Sequence, residues 1–209
     1  MNNRAKVRVS LTQKVLLSVG ALGVGGAIAG LGTFATFTSS TNASQQVASG
    51  TVTVGLGATG AATNRLTVAA TGLAPGDTVQ RSVDLANQGL VDLASVSLTT
   101  TASPSSLLDT DATNGLQMVV DRCSAPWTEA GTSPAFTYSC SGTTSTVAAS
   151  RPVVGANVAL SNLAATTHGA TDHLRVTLTL PTSAGNTFQN QTSTVAYSFT
   201  GTQRAAANQ

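Results

Sequence analysis

The sequence predicts an all-β protein, an antiparallel β-sandwich or jelly roll with about nine strands, preceded by a cleaved leader. Three observations carry this. Apolar residues alternate with Thr and Ser through most of the chain after residue 50, as in Thr51-Val52-Thr53-Val54-Gly55-Leu56, and period two is the signature of half-buried strands. Turn formers punctuate these runs at short intervals: Ala74-Pro75-Gly76-Asp77, Ser103-Pro104-Ser105, Thr113-Asn114-Gly115 and Ser183-Ala184-Gly185-Asn186. No stretch after the leader carries a capped apolar stripe of period 3.6; Ser105–Asp109 supplies one helical turn at most.

The leader comes first. A basic start (Arg4, Lys6, Arg8, Lys14) leads into Val15–Leu31, 17 residues of which five are glycine, and then into a Ser/Thr/Asn tract with no basic stop-transfer cluster. A positive n-region, an apolar h-region and a small residue at the cut make a secretory signal peptide. A retained span needs about 20 predominantly apolar residues, so the expectation is export and cleavage rather than stable membrane insertion. Residues 1–35 are the signal peptide, residues 36–50 a flexible arm and lead-in, residues 51–203 the β-domain and residues 204–209 a frayed tail. The arm, Thr36–Gln46, is polar and free of Gly and Pro.

Strands are expected at Thr51–Leu56, Arg65–Ala69, Thr78–Ala86, Val91–Thr101, Leu116–Cys123, Ala135–Cys140, Pro152–Leu160, His173–Leu180 and Thr194–Thr202. The number suits two packed sheets. A mature chain starting at Thr36 has 174 residues, enough for one full core. It keeps six Arg and no Lys against eight acidic residues, a net charge of −2. Six scattered arginines and one tryptophan exclude a nucleic-acid stripe. Charged residues make up 9% of the chain, against about 25% in average soluble domains. A surface of Thr, Ser, Asn and Gln repels its own copies weakly and suits a protein that packs against itself.

Cys123 and Cys140 enclose 16 residues; in an exported chain they read as one disulfide. Two thiolates without a nearby His are too few for zinc. His168, Asp172 and His173 lie within six residues, but the His spacing is i, i+5, a glycine follows the first, and the chain's only Glu, Glu129, is remote. The helical metallopeptidase pattern needs i, i+4 and an adjacent Glu, so an exposed polar turn or hairpin end is the preferred reading. Asp109 and Asp111 occupy a loop with oxygen ligands at alternate positions but no distal bidentate Glu, and read as an Asx turn rather than a calcium loop. Asn42-Ala43-Ser44 and Asn190-Gln191-Thr192 match the short glycosylation sequon. There is no Gly-x-Ser-x-Gly elbow. Phe136 with Tyr138, and Tyr197 with Phe199, read as core pairs two apart on strands. No catalytic residue, metal site or cofactor is expected.

Taken in order, several segments resemble the secreted TasA/camelysin-type family of Gram-positive bacteria, in its actinobacterial branch. They are Lys14-Val15-Leu16-Leu17-Ser18, Gly30–Thr38, Ala48-Ser49-Gly50-Thr51-Val52, Leu73–Asp77 with Val83–Gly89, Asp121–Trp127 with Tyr138–Gly142, Leu180–Gln189 and Phe199–Arg204. The resemblance implies cleavage between Ala35 and Thr36 by a dedicated SipW-like signal peptidase. It also implies a jelly-roll matrix subunit that assembles with copies of itself into biofilm fibres, each N-terminal arm completing a neighbour's sheet. Two alternatives stand beside this: a secreted zinc metalloendopeptidase using His168, Asp172 and His173 or another set, and a monomeric cell-surface or glycan-binding β-domain.

Overall fold

The computed structural model describes residues 52–67 and 72–205. The leader, the Ala35–Thr36 junction, the arm, the first sequon and residues 206–209 lie outside them. Ten strands form among the described residues: β1 Val54–Leu56, β2 Thr78–Asn87, β3 Leu93–Ala102, β4 Gln117–Cys123, β5 Thr128–Thr132, β6 Ala135–Ser139, β7 Thr144–Pro152, β8 Gly155–Leu160, β9 Thr171–Thr179 and β10 Val195–Gln203. One helical turn, α1 (Leu107–Thr110), and one 3-10 turn (Asn186–Phe188) complete them.

All pairings are antiparallel. β2 pairs with β9, β3 with β8, β4 with β7 and β5 with β6. The chain is therefore a long ribbon whose partners nest inward to the β5–β6 hairpin, and this nesting defines the jelly-roll wrap. The ribbon folds into a five-stranded sheet, β1-β2-β9-β4-β7, and a three-stranded sheet, β10-β3-β8.

Alternation places Val83 and Leu85 of β2, Met118 and Val120 of β4, and Leu174 and Val176 of β9 on the inner face of the larger sheet. Val96 and Leu98 of β3 and Val158 and Leu160 of β8 meet them from the other sheet, in one core. Each fully buried Leu or Val is worth about 1.5–3 kcal/mol. A second cluster, Leu108, Leu116, Val153, Leu180, Ala184 and Phe188, closes one end. Where β1 meets β10, Gly201 lies so close to Val54 and Leu93 that a Cβ would stand 2.7 Å from Val54 Cγ2; only glycine fits.

Two expectations need correction. Arg65–Ala69 reads as a strand, yet its described residues, Arg65–Thr67, lie in none: Asn64 makes an isolated bridge with Val83 and Leu66-Thr67 is a turn. β5, and β7 up to Arg151, form where no strand is expected. Phe136 and Tyr138 are buried as expected, in a layer of their own: Tyr138 N–H donates to Gln80 Oε1 at 3.1 Å, on the face of β2 opposite to Val83.

Candidate functional site

The two sheets differ in width, and the difference makes the site. On the β7/β8 side the sandwich is closed; Ser161 N–H donates to Val147 O at 3.1 Å. On the other side β10 has β3 along one edge and, among the described residues, no strand along the other. Opposite it, β1 pairs only with Leu85–Asn87, the last three residues of β2. Between the start of β2 and the start of β10 the sheets part around a cleft of about 520 Å³. Val79, Leu178, Val195 and Tyr197 line its depth, Leu66 and Leu73 one side, and the segment Gln189–Ser193 its rim. Arg81, 4% exposed, also lines it, and its Nη1 donates to Gln80 O at 2.6 Å. Burial lowers the Arg81 pKa and pushes that of Tyr197 up to about 12.

Edges of this kind are normally blunted by charge, proline or a bulge. Val195–Gln203 contains neither a charged residue nor a proline, and its single irregularity falls at Thr202/Gln203, the far end from the cleft. The described chain enters at that far end too. Val54 stands opposite Asn87, and Thr53 O accepts Gln88 N–H at 2.9 Å. Entry point and cleft are therefore at opposite ends of β2, roughly 25 Å apart along the strand.

Beside the rim, Asp109 is 9% exposed. Ser106 caps α1, and its N–H donates to Asp109 Oδ2 at 2.7 Å, a capping box. Ser193 Oγ donates to the same Oδ2 at 2.5 Å and Ser105 Oγ to Oδ1 at 2.5 Å; Ser106 Oγ and Ser193 Oγ are 2.7 Å apart. Burial pushes the carboxyl up, and the Ser105, Ser193 and Ser106 donors outweigh it, holding Asp109 below its ordinary pKa. Asp111 forms the Asx turn the sequence suggests, accepting the N–H groups of Thr113 and Asn114, each at 2.9 Å. Asn190, in the second sequon, is exposed with φ 57°.

The structure does not gather His168, Asp172 and His173. His168 lies in the loop before β9, donating from Nδ1 to Gly89 O at 2.8 Å. Asp172 and His173 are neighbours on β9 and point to opposite faces. Asp172 is fully buried, 2.6 Å from Arg122 Nε, and accepts the N–H groups of Ala164 and Ala165. His173 Nδ1 donates to Asp84 Oδ1 on the outer face at 2.7 Å. The expected exposed polar turn describes only His168. Among the described residues no group of three His, Cys, Asp or Glu side chains converges to hold a metal ion.

Cys123 and Cys140 are disulfide-bonded. The bond ties the end of β4 to the residue after β6 and so holds the β5–β6 hairpin over the outer face of the larger sheet. Trp127 Nε1–H donates to His173 O at 2.9 Å, and the Arg175 guanidinium stacks 4.4 Å from the Trp127 ring. Glu129 accepts from Arg65 at 2.6 and 2.9 Å and from Tyr138 Oη at 2.8 Å. The bond to Arg65, ahead of all other influences, holds the Glu129 carboxyl below its ordinary pKa. The sequence gives no sign of this triangle, because its members are up to 73 positions apart.

Among the described residues no helix is long and apolar enough to cross a membrane. No curated protein matches the chain. The model of one family, described as the camelysin metallo-endopeptidase family, matches residues 10–121, more than half of the chain, ending within β4. With that span and an antiparallel jelly roll behind it, the chain belongs to the camelysin-type family.

Proposed function

We propose that the protein is an exported, non-enzymatic fibre subunit of the extracellular matrix, and that its N-terminal arm joins copies head to tail. In this reading a signal peptidase cuts between Ala35 and Thr36, and the released arm, Thr36–Gln46, adds as a strand to the next copy's β10. The observation that carries it is the uncharged edge of β10 running beside an open cleft. An added strand would satisfy the backbone groups of that edge and cover Tyr197 and Val195 with its side chains. The main chain supplies most of such binding, so a low-complexity arm of Thr, Ser and Asn suffices.

The polarity supports an open assembly. The chain enters the domain at one end and the cleft opens at the other, so each added copy presents a new cleft, and a head-to-tail contact that does not close grows into a filament. The scarcity of charge lowers repulsion between copies. A peptidase reading has less support, since His168, Asp172 and His173 are each engaged elsewhere.

Electron microscopy of the protein beginning at Thr36, beside the same protein lacking Thr36–Gln46, tests the proposal. Fibres from the first and monomers from the second are expected. Fibres from both would remove the arm from the mechanism. Monomers from both would overturn the fibre reading in favour of a binding module whose ligand enters the cleft, a volume ordinary for small-molecule sites.

A further inference from the structure

We propose that Asp109, Ser106 and Ser193 form a clamp that fixes the rim of the cleft and keeps the first residues of β10 in place to receive a strand; its functional half rests on the fibre reading above. A capping box needs only Ser106 and Asp109. Here the carboxylate takes two further hydroxyls, and one of them, Ser193, comes from 84 positions along the chain. Capping α1 explains neither that contact nor the burial of the carboxylate.

What the clamp holds is a segment with few other attachments. Gln189–Ser193 carries no helix or strand, yet all five of its residues line the cleft. At its start Phe188 is buried in the second core. At its end Ser193 meets Asp109, and Thr194 extends the β3–β10 ladder by pairing with Ser103 and Pro104 at 2.9 and 3.1 Å. Releasing Ser193 therefore lets the rim move and frays β10 from Val195, the residue at which a strand would enter the cleft. A carboxylate accepting several donors at once makes short, charge-assisted bonds, which suits a fixed wall better than a flexible lid. Asp109 and Ser193 act as positioning residues, since neither needs to touch the incoming arm.

The test uses the processed protein as wild type, Ser193→Ala and Ser193→Thr, with two readouts: amide hydrogen exchange over Gln189–Tyr197, and the rate at which seeded fibres lengthen. Loss of one charge-assisted bond is worth roughly tenfold in an equilibrium. We expect about tenfold faster exchange and slower lengthening for S193A, unchanged exchange in β4 and β9, and recovery of both readouts in S193T, which keeps the hydroxyl. Exchange in S193A equal to wild type overturns the clamp whatever the fibres do. Faster exchange with unaltered lengthening overturns its role at the acceptor. A wild type that forms no fibres overturns that acceptor role together with the fibre reading, and the exchange data then still report whether Asp109 holds the rim.

Discussion

Tyr197 faces inward from β10 toward the cleft, and burial raises its phenol to about 12. A folded-state pKa above the unfolded value means that the fold favours the protonated form. The stability this represents is complete below pH 10, the unfolded value, and is lost as pH rises toward 12. At about 1.4 kcal/mol per unit it amounts to as much as roughly 3 kcal/mol. Ultraviolet titration should therefore show no tyrosinate signal from Tyr197 at pH 10, and Tyr197→Phe should move the alkaline unfolding midpoint upward; a normal titration near 10 would mean that the ring is solvated. Asp109 and Glu129 act at the other end of the scale. Both are held below the unfolded references of 3.8 and 4.5, so their contribution is present above those values and fades as pH falls through the lower folded ones. Acid denaturation with Asp109→Asn should begin from a less stable protein and slope less steeply than wild type. Asp172 is a different case. Fully buried, it accepts two N–H groups and forms an ion pair with Arg122, and Asp172→Ala leaves both N–H groups without that acceptor and removes the ion pair; chemical denaturation should find a loss of about 3 kcal/mol.

The disulfide and its hairpin make the clearest case among the elements. Cys123 belongs to β4 but faces away from the main core, and Cys140 follows β6, so the bond fastens an outer layer rather than the sandwich itself. Closing a loop of this size contributes roughly 3 kcal/mol. Replacing both cysteines should lower the melting temperature while circular dichroism keeps its β signature, because the Val83–Leu174–Met118 core does not depend on the bond; loss of the β signature would show that the hairpin is needed to fold the larger sheet. The elements also show where sequence reading works and where it stops. β2, β3, β4, β9 and β10 are legible because apolar residues alternate with polar ones in the sequence, although burial runs unbroken over Arg81-Ser82-Val83 in β2 and β10 is only half-buried. β7 is not: its pairing with β4 shifts register at two points, so Val147 and Ala148 are buried in succession and period two is broken. β5, Thr128-Glu129-Ala130-Gly131-Thr132, has only small or polar residues because its partners are Arg65 and Tyr138 rather than a core. Arg65–Ala69 errs the other way over its described residues: Arg65–Thr67 has the alternation of a strand but lies in none, and the bridge beside it belongs to Asn64.

For the whole molecule, the site was less legible than the fold. Alternation and turn spacing point to a sandwich, but nothing local says that its two sheets are unequal, and the cleft exists only because they are. Asp109 reads locally as part of a turn; its bond to Ser193 is a product of tertiary folding. The histidine cluster shows the converse, since three residues near in sequence are separated by the pleat and by a loop. Dialysis against a chelator should leave the melting temperature unchanged, and fibre formation too in the fibre reading; a fall in either, restored by zinc, would put the peptidase alternative ahead of the fibre reading.

The nested ribbon has a consequence for the order in which the molecule can be made. β5 and β6 are neighbours in the chain, so the innermost pair can zip as soon as Ser139 is available. β2 must wait for β9, about 100 residues further on, and β3 takes its second partner, β10, at a similar distance. Contacts of such long range are slow to form. A chain threaded out of a cell from its N-terminus would therefore emerge with most of β2 and all of β3 unmatched, β1 covering only Leu85–Asn87, and the cleft acquires its second wall only when β10 arrives. In the fibre reading proposed above, the acceptor cleft would therefore be completed by β10, while the connecting arm would be released from the N-terminal side.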